Sequence, residues 1–334
     1  MTAGKKVAVV GATGVVGQEM LRVLHQRGFP AREVIAVASE RSAGRKVAFG
    51  DRELEVRAIC PEVFEGVDIA LFSAGADISL EWGPVAAAAG AVVIDNSSAF
   101  RMDDDVPLVV PECNIEAAAN RPRGIIANPN CSTIQMVVAL KPLHDEAKIE
   151  RVVVSTYQAV SGAGAPAVAC LDAQRRSLAL GEPLEMGVLE GQLAGNLLMH
   201  WSRDEASGYQ EEELKMVHET RKILGDDSIR VSPTAVRVPV ATGHSESIAL
   251  ETARPLTPER ARELLEAAPG VEVVDDFAAG VYPTPLDCEG RDAVLVGRIR
   301  EDIGNPGGLQ LWVVGDNLRK GAALNAVQIA EALI

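Results

Sequence analysis

The chain has no surplus of basic charge: 32 Lys and Arg stand against 47 Asp and Glu, a formal net charge of −15. With no cationic excess to release phosphate counterions, binding to nucleic acid or to an anionic membrane surface is not expected. An anionic ligand must instead be held by a few placed Arg and Lys against an unfavourable overall field. No apolar stretch approaches the roughly 20 residues that span a bilayer. The N-terminal segment does not combine a basic start, a long apolar run and a small-residue cleavage site, so no secretory signal is read there. Five cysteines, at 60, 113, 131, 170 and 288, are scattered, odd in number and without a C-x-x-C pair. That spacing argues against a disulfide framework and against a zinc site, and no metal is expected. Together these absences point to a reducing, cytoplasmic setting in which a thiol stays free. Internal repeats, low-complexity tracts and long linkers are also missing.

What remains is an ordinary globular balance, 47% hydrophobic and 24% charged over 334 residues, long enough for two domains with separate cores. Residues 6–10 form a nearly continuous apolar run, the pattern of a parallel strand covered on both faces. Further buried strands are predicted at 34–38, 68–73, 91–95 and 108–110, with an alanine-rich helix over 82–89. Strands alternating with helices indicate an α/β fold, a Rossmann-type doubly wound parallel sheet. From Arg151 the texture changes. Segments 152–157, 232–240, 247–252, 293–300 and 310–315 read as longer strands, several with polar–apolar alternation, and helices are predicted near 166–180 and 210–224. This second domain is expected to be α+β, built on a mostly antiparallel sheet. The expected division is 1–130, completed by a C-terminal helical segment 316–334, and 131–315.

Gly11-Ala12-Thr13-Gly14-Val15-Val16-Gly17 is a G-x-x-G-x-x-G turn between the first strand and a helix. Such glycines permit a tight turn and close approach of a pyrophosphate to the helix N-terminus. At the end of the next strand, Ser39, Arg41 and Ser42 favour the 2′-phosphate of NADP, while Glu40 is the discordant residue. A short-chain reductase shares the turn but needs a lysine four residues after a tyrosine. Here the tyrosines are followed at that distance by Ser161, Glu213 and Leu286, which disfavours it.

The run Asn128-Pro129-Asn130-Cys131-Ser132-Thr133-Ile134-Gln135 is followed by apolar residues at helical spacing, so Cys131 is predicted in the first turn of a helix. Unpaired N–H groups and the positive end of the dipole there favour thiolate over thiol. A thiolate beside a nicotinamide suggests a thioacyl intermediate that exchanges hydride. Of five histidines, His244 follows a glycine at the mouth of a strand, where it can reach a site. His25, His144, His200 and His218 are read as structural. Glu212 and Lys215, three apart on a helix with Glu219 and Lys222, read by themselves as a solvated, salt-bridged face.

Taken together, Gly11–Gly17, Ser97-Ser98-Ala99-Phe100-Arg101, Asn128–Gln135, Tyr157–Gly164, Glu213–Met216 and the Arg237–Glu246 run resemble the aspartate-β-semialdehyde dehydrogenase family, in the family's order. The resemblance implies NADP(H)-dependent interconversion of aspartate semialdehyde plus phosphate with aspartyl phosphate, early in synthesis of lysine, threonine and methionine. It implies Cys131 as nucleophile, Asn130 and nearby backbone N–H groups at the oxyanion, and Gln158 orienting the substrate. His244 becomes the general acid/base that activates Cys131. Arg101 and Lys215 fall to the phosphate, Arg237 to the α-carboxylate and Glu212, among its neighbours Glu211 and Glu213, to the amine. The Ser161-Gly162 loop and Asn317 fall to the nicotinamide end of the cofactor. The only expected partners are the small-molecule substrate and further copies of the chain, as a homodimer or homotetramer. Two other readings stand beside this one: a reductase of another acyl phosphate such as N-acetylglutamyl phosphate, which has no ammonium for Glu212, and a non-enzymatic dinucleotide-binding sensor.

Overall fold

Val7, Ala8 and Val9 are wholly shielded from solvent, as a strand covered on both faces requires. In the computed structural model, which describes residues 4–199 and 201–334, they belong to the first of two units. That unit comprises Met1–Asn130 with Ala322–Ile334; the second is Cys131–Gly321. The first unit runs β1 (Lys5–Val10), α1 (Val15–Gln26), β2 (Ala31–Ala38), β3 (Lys46–Phe49), β4 (Arg52–Ala58), β5 (Ile69–Phe72), α2 (Ala76–Ala88), β6 (Val92–Asp95), α3 (Pro111–Asn114) and β7 (Ile125–Ala127). Its sheet order is β3-β4-β2-β1-β5-β6-β7. All pairings are parallel except β3 with β4. Because β1 pairs with β2 on one side and β5 on the other, the strand order reverses at its carboxyl end. The glycine turn sits at that switch point, where doubly wound sheets take ligands.

The predicted strand at 108–110 is not one. Leu108 makes a single bridge to Ala127, and Pro111 at once opens α3, because proline is suited to the first helical turn and not to continued pairing. The β3–β4 hairpin was not predicted: its charged, short strands carry little hydrophobic pattern, although Gly50 at φ +60° marks the turn.

The second unit runs α4 (Cys131–Ala147), β8 (Ile149–Gln158), α5 (Ala165–Leu180), α6 (Glu211–Leu224), β9 (Arg230–Arg237), β10 (His244–Thr252), α7 (Pro258–Ala267), β11 (Val271–Val273), α8 (Pro285–Cys288), β12 (Val294–Glu301) and β13 (Leu309–Gly315). Its mixed sheet has the order β11-β12-β13-β10-β8-β9. The three central pairings are antiparallel, and those of β8 with β9 and β11 with β12 are parallel. The strand expected to reach Val240 stops at Arg237, ahead of Pro239, which has no N–H to pair. Alternation sends Val152, Val154, Thr156 and Gln158 of β8 inward, while Val153 and Tyr157 stay half-exposed. Helix α4 packs on β8, β10 and β13 and is buried without a break from Ser132 to Leu140, so it is a core helix and not an amphipathic one.

The chain returns to the first unit with α9 (Leu324–Glu331). The division falls at Ala322 and not at 316. Residues 316–321 stay with the second unit because Asn317 bonds Gly243 and Ser161 and Gly321 lies against Cys131. Val327, Ile329 and Ala330 of α9 share one apolar cluster with Met20, Leu21 and Leu24 of α1 and with β1. Leu21→Ala and Ile329→Ala should therefore each cost about 3 kcal/mol in urea unfolding. A cost at Ile329 within the noise of a surface substitution would show that α9 is not part of that core.

Candidate active site

Cys131 is the first residue of α4, at the end where helical N–H groups lack intrahelical partners and the dipole is positive. The preceding Asn128 receives its place from β6, its N–H donating to the carbonyl of Asp95 at 2.7 Å. Gly321 closes against the nucleophile: a Cβ there would lie 2.9 Å from that of Cys131, too close to fit unless something shifts.

Gln158 ends β8 and is buried. Its Nε2 donates to Ser132 Oγ at 2.9 Å and to Glu212 Oε1 at 3.2 Å, and Glu212 Oε2 accepts from Lys215 Nζ at 3.3 Å. Helix α6 thus assigns different tasks to its three consecutive glutamates. Glu211 is exposed. Glu213 closes a capping box with Gln210 and accepts the Ala235 N–H at 2.9 Å. Glu212 is the one turned to Gln158.

Arg237 ends β9 in direct register with Gln158. Its Nη1 donates to the carbonyl of Ala159 at 2.7 Å, its guanidinium lies 4.7 Å over the Trp201 ring, and its buried Nε has no protein partner. Burial lowers its pKa from the usual arginine value, while the negative charges of Glu212 and Cys131 oppose that shift. A guanidinium stays charged under such a load, so a cation acts on the sulfur.

His244 opens β10 and is fully buried. Ala159 donates its N–H to Nδ1 at 3.0 Å. Nδ1 therefore presents a lone pair, and in the neutral ring the hydrogen resides on Nε2. Burial first, then the Arg237 charge, push the imidazole pKa down to about 3, against Glu212 and the Gly243 backbone. The ring is neutral at pH 7, and Nε2 has no protein partner. Gly162 keeps the space before it open: a Cβ there would lie 3.5 Å from Arg237 Nη1 and 3.6 Å from His244 Nε2.

Asn317 fastens the loop behind, accepting from Gly243 N–H at 2.9 Å and donating to Ser161 Oγ at 2.9 Å. The second unit therefore brings together Cys131, Gln158, Ser161, Gly162, Glu212, Lys215, Arg237, His244 and Asn317. Arg101, Asn130 and the cofactor candidates between Gly11 and Ser42 belong to the first unit. Arg101 is buried, with Nε donating to the Asn128 carbonyl at 3.0 Å and Nη2 to that of Asn96 at 2.9 Å. Asn130 is also buried. In the glycine turn, a Cβ on Gly11 would strike the Ser73 carbonyl at 2.3 Å and one on Gly17 the Gly11 carbonyl at 2.2 Å. Ala12 is buried, Thr13 and Val15 to Val16 less so, and Gly14 begins α1 without a side-chain cap. Ser39, Arg41 and Ser42 lie at the carboxyl end of β2, with Ser39 and Arg41 exposed.

Sequence reasoning missed Ser132, Ala159 and Gly321. Ser132 lay next to the thiol and could have been suspected from that. Ala159 acts through its backbone, which leaves no side-chain signal. Of the other histidines, His25 packs edge-on against Phe49, and His144 accepts the Ile149 N–H at 3.2 Å; His200 lies outside the described residues. Among the described residues no cluster of His, Cys, Asp or Glu could hold a metal, and no helix is long and apolar enough to cross a membrane.

Residues 6–121 match the family model described as semialdehyde dehydrogenase, NAD binding domain, and residues 140–320 that of the semialdehyde dehydrogenase, dimerisation domain. The chain is 55% identical over 334 residues to an aspartate-semialdehyde dehydrogenase of Aquifex aeolicus, covering 99% of this chain and 98% of that one. It is similar to the crystal structure of aspartate semialdehyde dehydrogenase II of Vibrio cholerae complexed with ASA, with TM-score 0.95 and 50% identity over 99% of this chain and 98% of that one. The Candida albicans aspartate semialdehyde dehydrogenase with NADP matches at TM-score 0.74 and 28% identity, again over 99% of this chain and 98% of that one. The chain belongs to the aspartate-semialdehyde dehydrogenase family.

Proposed function

We propose that this chain catalyses the NADPH-dependent reductive dephosphorylation of L-aspartyl 4-phosphate to L-aspartate 4-semialdehyde through a thioester on Cys131. The observation that carries the reading is the convergence on one buried space of a helix-start thiol, the Arg237 guanidinium and the Nε2 of His244.

NADP(H) fits the first unit. The glycines of the turn leave no Cβ above the uncapped start of α1, where a pyrophosphate meets free N–H groups. Arg41 with Ser39 and Ser42 suits a 2′-phosphate. Bound there, the cofactor supplies the hydride. The chain's own residues do the rest. The Cys131 thiolate attacks the acyl carbon and phosphate departs, leaving the thioester. After reduction, collapse of the tetrahedral alkoxide re-forms the thiolate and releases the aldehyde. The neutral His244 Nε2–H donates a hydrogen bond to the oxygen that gains charge, with Asn130 as a second donor. Arg237 presents its free Nε edge to the α-carboxylate, Glu212 takes the ammonium, and Arg101 and Lys215 take the phosphate. Gln158, tied to Ser132 and Glu212, keeps substrate and nucleophile in register. The half-exposed outer face of the second sheet, where Tyr157 and Trp312 lie 5.5 Å apart, supports assembly into a homodimer or larger homo-oligomer, and five cysteines with no disulfide among them support a cytoplasmic setting.

Cys131→Ala is expected to lose at least ~10³-fold in phosphate-dependent NADP reduction while still quenching NADPH fluorescence on binding. The same assay run with N-acetylglutamate semialdehyde should show little turnover; preference for that substrate would overturn the assignment of Glu212.

Arg237→Lys removes the planar fork but keeps the charge, and should raise KM for the semialdehyde by about two orders of magnitude with NADPH affinity unchanged.

For His244, nitrogen-15 NMR should report the neutral ring with hydrogen on Nε2 from about pH 5 to 8. His244→Gln, which retains a donor, should keep about tenfold more kcat than His244→Ala. The unfolded chain binds a proton here near pH 6.5 and the folded chain only near 3. Stability is thus lost as pH falls from about 6.5 towards 3, less steeply in His244→Gln. A ring protonated at pH 7, or one with hydrogen on Nδ1, would contradict the donor role.

A further inference from the structure

Two residues beyond His244 on the inward face of β10, Glu246 is fully buried and neither carboxyl oxygen has a hydrogen-bond partner. Directly across the ladder in β8 stands Thr156, also fully buried, its Oγ1 unpartnered. On α4, one helical turn past Cys131, Gln135 donates from Nε2 to the His244 carbonyl at 3.3 Å and leaves its buried Oε1 without a partner. The Gln135 side chain faces Glu246, where it opposes, as the smaller effect, the upward push of burial on the carboxyl pKa. Gly315, in register with His244 on β13, leaves the room for this amide: a Cβ there would lie 2.8 Å from Gln135 Oε1. The groups facing Glu246 are Thr156 from β8, Val313 from β13 and Gln135 from α4. None is charged, and His244 next along the same face is neutral.

A carboxylate in this place is dry and has no charged partner, an arrangement that burial penalises heavily and that the Gln135 side chain offsets only in part. One proton resolves every orphan at once. As an acid, Glu246 donates O–H to Gln135 Oε1, and its carbonyl oxygen accepts the Thr156 hydroxyl, whose hydrogen rotates freely. Cross-strand partners in an antiparallel pair are close enough for that contact. We propose that Glu246 is a permanently protonated carboxylic acid and a positioning residue, which through Gln135 ties the helix carrying Cys131 to the strand that begins at His244. Burial raises the carboxyl pKa well above its ordinary 4.5, in accord with this geometry. The catalytic half rests on the thioester mechanism proposed above; the protonation half does not.

Glu246→Gln keeps a donor and an acceptor in the same shape, and Glu246→Leu removes both. Infrared spectra at pH 8 should show a protonated-acid carbonyl band in the wild type that is missing from Glu246→Gln. The folded chain holds this proton at pH values where the unfolded chain has released it, so folding loses stability as pH rises above about 4.5. Glu246→Gln escapes that loss. It should melt a few degrees above the wild type at pH 8 and level with it near pH 4.5. Absence of the acid band, or no gain in melting temperature at pH 8, would overturn the protonation. For positioning, Glu246→Leu should lower kcat by about tenfold with a smaller change in KM, and Glu246→Gln should keep kcat within about threefold. Alkylation of Cys131 by iodoacetamide, read by peptide mass spectrometry, should change by a similar factor in Glu246→Leu alone. A folded Glu246→Leu with wild-type kcat and alkylation rate overturns the positioning role. If the wild type itself fails to turn over the semialdehyde, the functional reading fails, and alkylation still decides whether Glu246 places the thiol. Should Glu246→Leu not fold, the infrared and melting comparisons with Glu246→Gln decide the protonation.

Discussion

One peptide unit's neighbourhood organises the site. The N–H of Ala159 goes to His244 Nδ1 and its carbonyl accepts from Arg237 Nη1, so a single residue between β8 and its following turn fixes the tautomer of the imidazole and the direction of the guanidinium. Its position is itself held by two further backbone bonds, from Val160 to Val240 and from Ser161 to Ala241. Neither ring nor fork can turn away without breaking a buried hydrogen bond, and leaving such a group unmet costs more than the bond contributes.

The second organising feature is dryness. Helix α4 is buried without a break from Ser132 to Leu140, so the polar groups at its first turns see little water, and each ionisable neighbour settles into the charge state its surroundings tolerate. His244 is neutral and Arg237 stays charged with Glu212 and the Cys131 sulfur as counter-charges. Glu246, with no cation against it, is best accommodated as the acid. A chain of net charge −15 thereby keeps a buried cation beside its thiol, because the field at a buried point is set by the nearest unscreened groups and not by the total.

Much of this was legible in the residues. The Gly11–Gly17 turn after an apolar strand announced the first sheet, and both sharp glycine contacts there, Gly11 with Ser73 and Gly17 with Gly11, explain why no other residue serves. Alternation in 152–157 marked β8, and the Pro129-Asn130 break put Cys131 at a helix start. The strand at 108–110 failed because an apolar triplet between two prolines looks like a strand and yet has nothing to continue it. The three glutamates at 211–213 could not be told apart along the chain. Only the packing of α6 against β9 turns Glu213 to a backbone N–H and Glu212 to Gln158.

The order of residues by itself determined the alternating α/β architecture, the helix-start thiol and the small set of side chains able to meet a phosphate, a carboxylate and an amine. These follow from local rules: periodicity, capping and the chemistry of each side chain. Tertiary structure alone decided that the Ala159 N–H meets His244 Nδ1, and that Glu246 sits where a charge has no partner. Both outcomes depend on backbone groups and on exclusion of water by segments more than 80 residues apart, as the Ala159–His244 bond is, and no local pattern in a chain encodes which peptide will face which ring.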